Sequence, residues 1–353
     1  MSGPERSGGG PVSGPFVQVR DLTVQFPVAG GVVRAVQGLS YTVELGRTLA
    51  IVGESGSGKS ASSLALLGLH DRRRSSITGS VTIDGQEFIG MPEAELRHHR
   101  GNTAAMIFQD PRASLHPYLT VGYQIAEAYR LHHRTTRRAA RAHAVDMLGR
   151  VGIPHPARRA DDYPHEFSGG MCQRVMIAMA LVNDPKLLIA DEPTTALDVT
   201  VQAQILGLIA ALREEFGSAV ILITHDLGVV TDVSDDVLVM YAGRGVEHGP
   251  VRSVLGSPTH PYTWGLLESL PSLSGPAGGR LHPIPGMPPN LLEPLPGCPF
   301  HARCEFRDRV AGGRCHTHLP DLAARTGDDA HRSRCHLDDP DAIFAVEIAS
   351  RLL

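Results

Sequence analysis

One stretch of the sequence has the residue types needed to bind a nucleoside triphosphate. Residues Gly53–Ser60 form a glycine-rich loop that ends in Gly-Lys-Ser. Glycines allow successive backbone N–H groups to point at phosphate oxygens, and the N-terminus of a following helix favours anions. Lys59 supplies a positive charge for the β- and γ-phosphates, and Ser60 supplies a hydroxyl for Mg²⁺. The loop does not distinguish a kinase, a GTPase, a motor and a transporter. The loop residues predicted to bind the nucleotide are Gly53, Ser55, Gly56, Ser57, Gly58, Lys59 and Ser60.

Two adjacent carboxylates follow the apolar run Leu187–Ala190. Asp191 is placed to hold Mg²⁺ through water, and Glu192 is the candidate general base for an attacking water. An Asp-Glu pair alone is weak evidence, since most such pairs lie on a solvated surface. The apolar run and the phosphate loop make the catalytic interpretation the stronger one.

A second predicted anion site lies far along the chain. Ser168, Gly169 and Gly170 precede a helical run, Val175–Leu181, and so predict a second phosphate-binding helix N-terminus. This site cannot reach the first within one monomer. The pair therefore suggests a nucleotide held between two subunits.

The surrounding elements predict an α/β fold. Short apolar runs alternate with helical patterns, and polar residues follow the ends of the runs, which is typical of a mostly parallel sheet with its ligand at the carboxyl edge. A β-rich segment, residues 16–43, precedes the loop. The predicted strands after it are Thr48–Val52, Ser80–Ile83, Ala104–Phe108, Ala219–Ile223 and Val237–Tyr241, and the predicted helices are Ala61–Leu67, Thr120–Val151 and Val201–Leu212.

Composition limits the class of protein. The chain has 353 residues and a net charge of -4, which gives no overall preference for polyanions. Apolar runs stay shorter than the roughly 20 residues that cross a bilayer, and residues 1–15 read as a disordered lead-in without an apolar signal region. We therefore expect a cytoplasmic protein, in which the cysteines form no disulfides.

Several arginines lie on the predicted helix between Thr120 and Val151. Nucleic-acid binding is one interpretation, but acidic residues lie nearby and no aromatic stacking residues are interleaved. A solvated helix face is the interpretation we favour, and no nucleic-acid partner is predicted. These residues are Arg134, Arg137, Arg138 and Arg141.

Taken together, the motifs resemble the ATP-binding cassette (ABC) ATPases. They occur in the order of that family, between about Phe16 and Leu255. The resemblance implies a RecA-like P-loop core with a β-rich subdomain and a helical subdomain (about 113–175), all within residues 16–257. The motifs are Gly53–Ser60, Gln109, Ser168–Gly170, Leu188–Glu192, Ala196–Asp198 and His225.

Finer details are similar to the oligopeptide/dipeptide importer branch. They include two stretches of the C-terminal extension, residues 258–353. The stretches concerned are Phe108–Pro111, Phe167–Met171, Asp198–Gln202, Ser257–Thr263 and Gly297–Cys304.

The resemblance also implies residue roles. Gln109 senses the γ-phosphate beside Mg²⁺, His225 contacts the γ-phosphate and positions the base, and Asp198 contacts the partner subunit. Phe26 stands where such ATPases stack an aromatic on adenine, although a core strand position is an alternative. Two departures are Met171 for the commoner Gln and Cys172 where Arg is expected, and the second of these puts a partner contact in doubt.

By the same resemblance, the chain is expected to hydrolyse ATP and to power import of oligopeptides or dipeptides. The implied partners are two permease transmembrane subunits, a second ABC ATPase (self or paralogue) and an extracytoplasmic peptide-binding protein. Its place would be the cytoplasmic face of the membrane, as a peripheral protein. The alternatives are the ATPase of an importer for nickel or another small solute, and a soluble ABC ATPase.

Four cysteines cluster in the small, irregular C-terminal extension. Four thiols with little surrounding core suggest a metal, but their spacing fits neither a zinc ribbon nor bacterial ferredoxin loops. Similar tails in peptide-importer ATPases are associated with a [4Fe–4S] cluster. Iron–sulfur, zinc and free thiols stay open for Cys298, Cys304, Cys315 and Cys335.

Overall fold

The computed structural model describes residues 14–195, 197–269, 283–324 and 329–352. Most of the expected lead-in, and Ala196 of the expected motif set, lie outside these residues. Within these described residues, the strands form a four-stranded and an eight-stranded sheet. They are β1 Val17–Val28, β2 Gly31–Val43, β3 Thr48–Val52, β4 Ser76–Ile83, β5 Gln86–Glu87, β6 Ala104–Ile107, β7 Leu187–Asp191, β8 Ala219–Thr224, β9 Asp236–Tyr241, β10 Arg244–Pro250, β11 Ala323–Ala324 and β12 Arg332–Ser333.

The smaller sheet has the order β2-β1-β4-β5, and its strand pairs are antiparallel. Apolar residues recur along β1, and one face of the sheet, including Val17, Val19 and Val24, is fully buried. This alternation is what a sheet with one covered face requires. The predicted β-rich segment before the phosphate loop is confirmed.

The larger sheet has the order β11-β12-β10-β9-β3-β8-β7-β6. Its central strand, β3, runs parallel to β8 and β9, and β7 runs parallel to β6 and β8. Every residue of β3, β7 and β8 is buried, as expected when helices cover both faces of a parallel sheet. Val52 pairs with Thr224 and Asp191 with Ile223, so these strands end at one edge. The predicted parallel core is confirmed.

Helices cover this sheet and form a separate layer between residues 111 and 181, close to the predicted helical subdomain. They are α1 Lys59–Leu66, α2 Glu93–His99, α3 Pro111–Ser114, α4 Val121–His132, α5 Arg137–Arg150, α6 Pro156–Arg159, α7 Gly169–Leu181, α8 Val199–Phe216, α9 Leu227–Val233, α10 Val251–Gly256, α11 Pro261–Glu268, α12 Arg314–Thr317, α13 Pro340–Ile343 and α14 Ala349–Leu352.

The single helical stretch predicted over Thr120–Val151 is wrong in detail, because the chain turns between α4 and α5. His133 ends α4 in an extended conformation, and Thr136 caps α5 by accepting a hydrogen bond from the backbone N–H of Ala139. A Thr that can cap a helix competes with its continuation. The turn lets the apolar faces of α4 and α5 share one core with α7.

The C-terminal extension packs directly on the cassette. Its short strands β11 and β12 continue the large sheet beyond β10. Its aromatic residues and cysteines share a hydrophobic cluster with the strand residues Ala50, Val52 and Tyr241. Among the described residues, no helix combines the length and the apolar character that a membrane crossing needs.

Candidate nucleotide site

The phosphate loop connects β3 to α1 at the centre of the large sheet. Gly53 has φ 150° and Gly58 has φ 102°, and a Cβ at either would lie 2.2 Å from a backbone carbonyl oxygen, that of Met240 or Ala35. Only glycine fits such positions without displacing the backbone. In the described part of the chain the Ser57 hydroxyl is buried without a hydrogen-bond partner, which suits a group that receives a ligand.

Lys59 lies at the first position of α1 and is 4% exposed. Its Nζ donates to the carbonyl oxygens of Gly53 (2.7 Å) and Glu54 (3.1 Å). Burial lowers the pKa of Lys59, while the carboxylates of Glu192, Asp191 and Glu54 oppose that shift. The ammonium group is therefore held inside the loop by groups that favour its charge.

The two predicted oxygen ligands of Mg²⁺ on the loop and on β7 are in contact. Ser60 Oγ donates to Asp191 Oδ1 at 3.0 Å. Burial raises the pKa of Asp191, and the hydrogen bond from Ser60 partly offsets this. A hydroxyl beside a carboxylate at the end of a strand is a donor set that Mg²⁺ accepts. The residues present therefore fit the expected ion.

The carboxylate of Glu192 lies close to the other predicted catalytic side chains, Gln109 and His225. Its Oε2 accepts hydrogen bonds from Gln109 Nε2 and Thr195 Oγ1, each at 2.9 Å, and lies 3.7 Å from Nδ1 of His225. Glu192 has φ 46°, an uncommon conformation for a residue with a side chain. The turn after β7 therefore aims this carboxylate toward the ends of the neighbouring strands. We call the loop with Gln109, Asp191, Glu192 and His225 the catalytic half.

Ser168, Gly169 and Gly170 are the second predicted site, which we call the signature half. Ser168 is exposed and caps α7 by accepting from the backbone N–H of Met171 at 3.3 Å. In the described residues, no hydrogen bond or ion pair joins Ser168–Gly170 to the phosphate loop. The described hydrogen bonds and ion pairs therefore do not join the two predicted anion sites within one chain.

The signature half borders the start of α8. Asp198 caps that helix by accepting from Val201 N–H, and a Cβ at Gly170 would lie 2.9 Å from the Val201 side chain. Cys172, one turn into α7, is fully buried with its sulfur 3.5 Å from the carbonyl oxygen of Pro164. That thiol therefore packs inside the subunit and does not lie on its surface.

Phe26 lies on β1, partly buried against the core of the small sheet. Its ring meets that of His70 edge to face at 5.2 Å. This position is compatible with both predicted roles, adenine stacking and core packing. Contact between Phe26 and a nucleotide stays a prediction.

The four cysteines of the extension line one small cavity of about 10 Å³. Burial raises the pKa of Cys298 and of Cys304 to about 12. Within the described residues, however, no group of three or more His, Cys, Asp or Glu side chains is arranged to hold a metal ion. The expected [4Fe–4S] cluster therefore finds no support, although Cys298, Cys304, Cys315 and Cys335 come together.

Sequence reasoning missed three residues that contact Glu192 or the phosphate loop. Thr195 follows Glu192 by one turn, a spacing that could have revealed it. Arg303 pairs with Glu54 from 249 positions away, and Tyr262 contacts the same residue from 208 positions away. Both partners lie in stretches already noted as typical of the importer branch, but no sequence pattern joins them to the loop.

Two family models match this chain. Residues 36–195 match the model described as ABC transporter, and residues 246–310 match the one described as Oligopeptide/dipeptide transporter, C-terminal region. Among solved structures, a dimeric ATP-binding cassette in a post-hydrolysis state, bound to ADP and Pi, aligns with a TM-score of 0.61 and 28% identity. The alignment covers 67% of this chain and 99% of that one. The fold and site thus define an ABC ATPase.

Relatives identify the branch. The chain is 51% identical over 292 residues to the oligopeptide transport ATP-binding protein OppD of Haemophilus influenzae, covering 83% of this chain and 90% of the relative. It is 53% identical over 289 residues to OppD of Salmonella typhimurium, covering 82% and 86%. The chain belongs to the ATP-binding proteins of the oligopeptide/dipeptide ABC transporter family.

Proposed function

We propose that this chain is the ATP-hydrolysing subunit of an importer of oligopeptides or dipeptides. One observation carries the proposal: a cassette with its catalytic residues assembled around Glu192 continues into a C-terminal region typical of peptide transporters. The proposal extends to this chain what the names of its relatives state for those proteins.

ATP would bind between two cassettes. Its phosphates would lie in the loop Gly53–Ser60 of one subunit and face Ser168–Gly170 of the other. The exposure of Ser168, and the lack of a described hydrogen bond between the two halves of one chain, support this placement. The second cassette is another copy or a related ATPase, and Asp198 would lie at the contact.

Each residue of the catalytic half has a proposed task. The loop amides and Lys59 bind phosphate oxygens. Ser60, Asp191 and Gln109 would hold Mg²⁺, directly or through water, and the ion would neutralise charge that develops on the phosphates. Glu192 accepts a proton from the attacking water, and His225 orients the γ-phosphate beside it.

Closure of the cassette pair would change the state of separate membrane subunits. A ligand shifts a conformational equilibrium only by its difference in affinity for the two states. ATP held by both subunits meets this condition, because only the closed pair supplies both halves of its site. The chain would therefore act at the cytoplasmic face of the membrane, attached to two permease subunits that respond to an extracytoplasmic binding protein.

Co-purification of the chain with its proposed permease subunits tests this function. We expect the complex to hydrolyse ATP faster when a peptide-loaded binding protein is added, and we expect Glu192→Gln to abolish the stimulated rate. Stimulation by nickel or another solute in place of peptide would replace the proposed substrate. A chain that hydrolyses ATP but never associates with a permease would overturn the transport role.

We also propose that Cys298, Cys304, Cys315 and Cys335 hold a [4Fe–4S] cluster. Four thiolates are a suitable donor set, and all four face one cavity, although they would have to move to become ligands. Anaerobic purification should give a brown protein with about four irons per chain. One bound zinc would replace the cluster by a zinc site, and a colourless, metal-free protein would exclude both.

A further inference from the structure

Among the described residues, the hydrogen bonds between the phosphate loop and the C-terminal extension all involve Glu54. Arg303 forms two parallel hydrogen bonds with its carboxylate, from Nη1 at 2.7 Å and from Nη2 at 3.0 Å. The Arg303 side chain is 6% exposed and that of Glu54 26%. This pair is largely withdrawn from solvent, unlike the surface ion pairs that contribute little.

The other polar groups of Glu54 are also engaged. Its backbone N–H donates to the hydroxyl of Tyr262 at 2.8 Å, and its carbonyl oxygen accepts from Lys59. Tyr262 is fully buried at the start of α11 and packs on Tyr241 and Phe300. Side chain and amide of one loop residue are thus fixed from outside the cassette motifs.

Both contacts rest on firmly held elements. Arg303 also donates to the carbonyl oxygens of Ile284 and Pro285, which fixes its guanidinium group. The segment before Tyr262 is bound by the buried carboxylate of Glu247, which accepts from the backbone N–H of Thr259 (2.6 Å). A displacement of Arg303, or of the segment before Tyr262, would therefore also displace Glu54 in the phosphate loop.

The charges of Glu54 and Arg303 predict how the loss of either residue would affect ATP binding. Glu54 places a carboxylate on a loop whose ligand is a polyanion, and Arg303 compensates that charge. Removing Arg303 alone would leave the carboxylate unpaired beside the bound phosphates. Removing both charges together would restore neutrality.

We propose that Arg303 and Tyr262 of the C-terminal extension position the phosphate loop for ATP by holding Glu54. Both residues act through Glu54, and neither is among the residues proposed to touch the nucleotide or the reacting atoms, so they are positioning residues. The inference requires only that the chain binds ATP. It makes the extension part of the nucleotide site of its own subunit.

The test measures binding of ATPγS to the purified full chain by titration calorimetry. Arg303→Gln should weaken binding by about tenfold, whereas the double variant with Glu54→Gln should recover to within about threefold of the parent. With ATP as substrate, Arg303→Gln should raise KM much more than it lowers kcat, since Glu192 and His225 are untouched. Tyr262→Phe should weaken binding by about threefold.

Arg309 provides a control in a more exposed pair, with its side chain 49% exposed. It forms the same kind of paired contact with Glu347, at 2.7 and 2.8 Å, wholly within the extension. Arg309→Gln should leave the affinity unchanged. If it weakens binding as much as Arg303→Gln does, or if the double variant stays as weak as Arg303→Gln, Arg303 merely stabilises the extension and the inference fails.

The lysine variants of Arg303 and Arg309, and the affinity of the parent chain, provide two further tests. If Arg303→Gln does not fold, Arg303→Lys keeps the charge but loses the paired geometry, and it should weaken binding about threefold relative to Arg309→Lys. Equal affinities for those two variants would overturn the inference. A parent chain that binds no ATPγS would instead overturn the proposed ATPase function.

Discussion

The catalytic half and the signature half differ in how completely one chain builds them. In the catalytic half, Lys59, Ser60 and Glu192 each have protein partners, and Lys59 is 4% exposed. In the signature half, Ser168 is exposed and its side chain bonds only to its own helix among the described contacts. The difference fits the proposal that one chain preorganises the chemistry of its site and that a second subunit encloses the ligand.

The strongest test of the catalytic half replaces its proposed base. Glu192→Gln keeps the shape of the side chain but cannot accept a proton, so ATP hydrolysis should fall about a thousandfold while ATP binding persists. Steady-state phosphate release measures the rate. The exposed Glu95→Gln is the control and should retain the parental rate. Unchanged hydrolysis in Glu192→Gln would remove Glu192 as the base.

A substitution in the signature half should reduce ATP hydrolysis without weakening nucleotide binding by the isolated chain. Among the described residues, only the Leu197 side chain lies near the position of a Cβ at Gly169, at 3.9 Å, so Gly169→Asp should fold. Its carboxylate would repel the phosphates held by a partner, and hydrolysis should fall about a hundredfold. The isolated chain should still bind ATPγS with the parental affinity. A comparable loss of binding by the isolated chain would contradict the division into two halves.

The glycines of the loop test how tightly the catalytic half is packed. Gly53→Ala should lower the free energy of unfolding by about 2 kcal/mol, because its Cβ would collide with Met240 O. Gly56→Ala is the matched control, with φ 78° but with no atom of the described residues within 4 Å of its Cβ, and should cost about 1 kcal/mol. Urea denaturation measures both. Equal losses would show that backbone strain alone, without the collision, sets the cost.

A smaller effect concerns the buried carboxyl of Asp191. Because burial raises its pKa above the ordinary 3.8, the folded state is favoured when this group is protonated. That stabilisation is lost as pH rises from 3.8 through the higher pKa of the folded state. Asp191→Asn should therefore gain stability relative to the parent as pH rises from 4 to 8, without Mg²⁺. A stability difference that does not change with pH would contradict the buried, perturbed carboxyl.

Most of the fold was predictable from local patterns. The apolar runs before Gly53, Asp191 and His225 are strands that end at one edge of the sheet, because buried parallel strands need uninterrupted apolar residues. The break between α4 and α5 was missed. Helical periodicity continues across it, and only the cap at Thr136 marks the turn.

The site was predictable where its chemistry lies within short motifs. Glu192 was identified from its residue type and its place after an apolar run, and Gln109 and His225 from the family resemblance. The structure brings the three together. The contact between Glu54 and Arg303 depends on how the extension packs on the cassette. No local pattern encodes a pair 249 positions apart.

The most direct measurement is the mass of the Glu192→Gln chain in solution with Mg²⁺-ATP or Mg²⁺-ADP. Light scattering should show ATP, but not ADP, joining the chain to a second cassette, either its own copy or a co-expressed related ATPase. Adding Gly169→Asp should prevent this association. ATP bound stably by a single chain that associates with neither cassette would contradict a nucleotide site shared between two subunits.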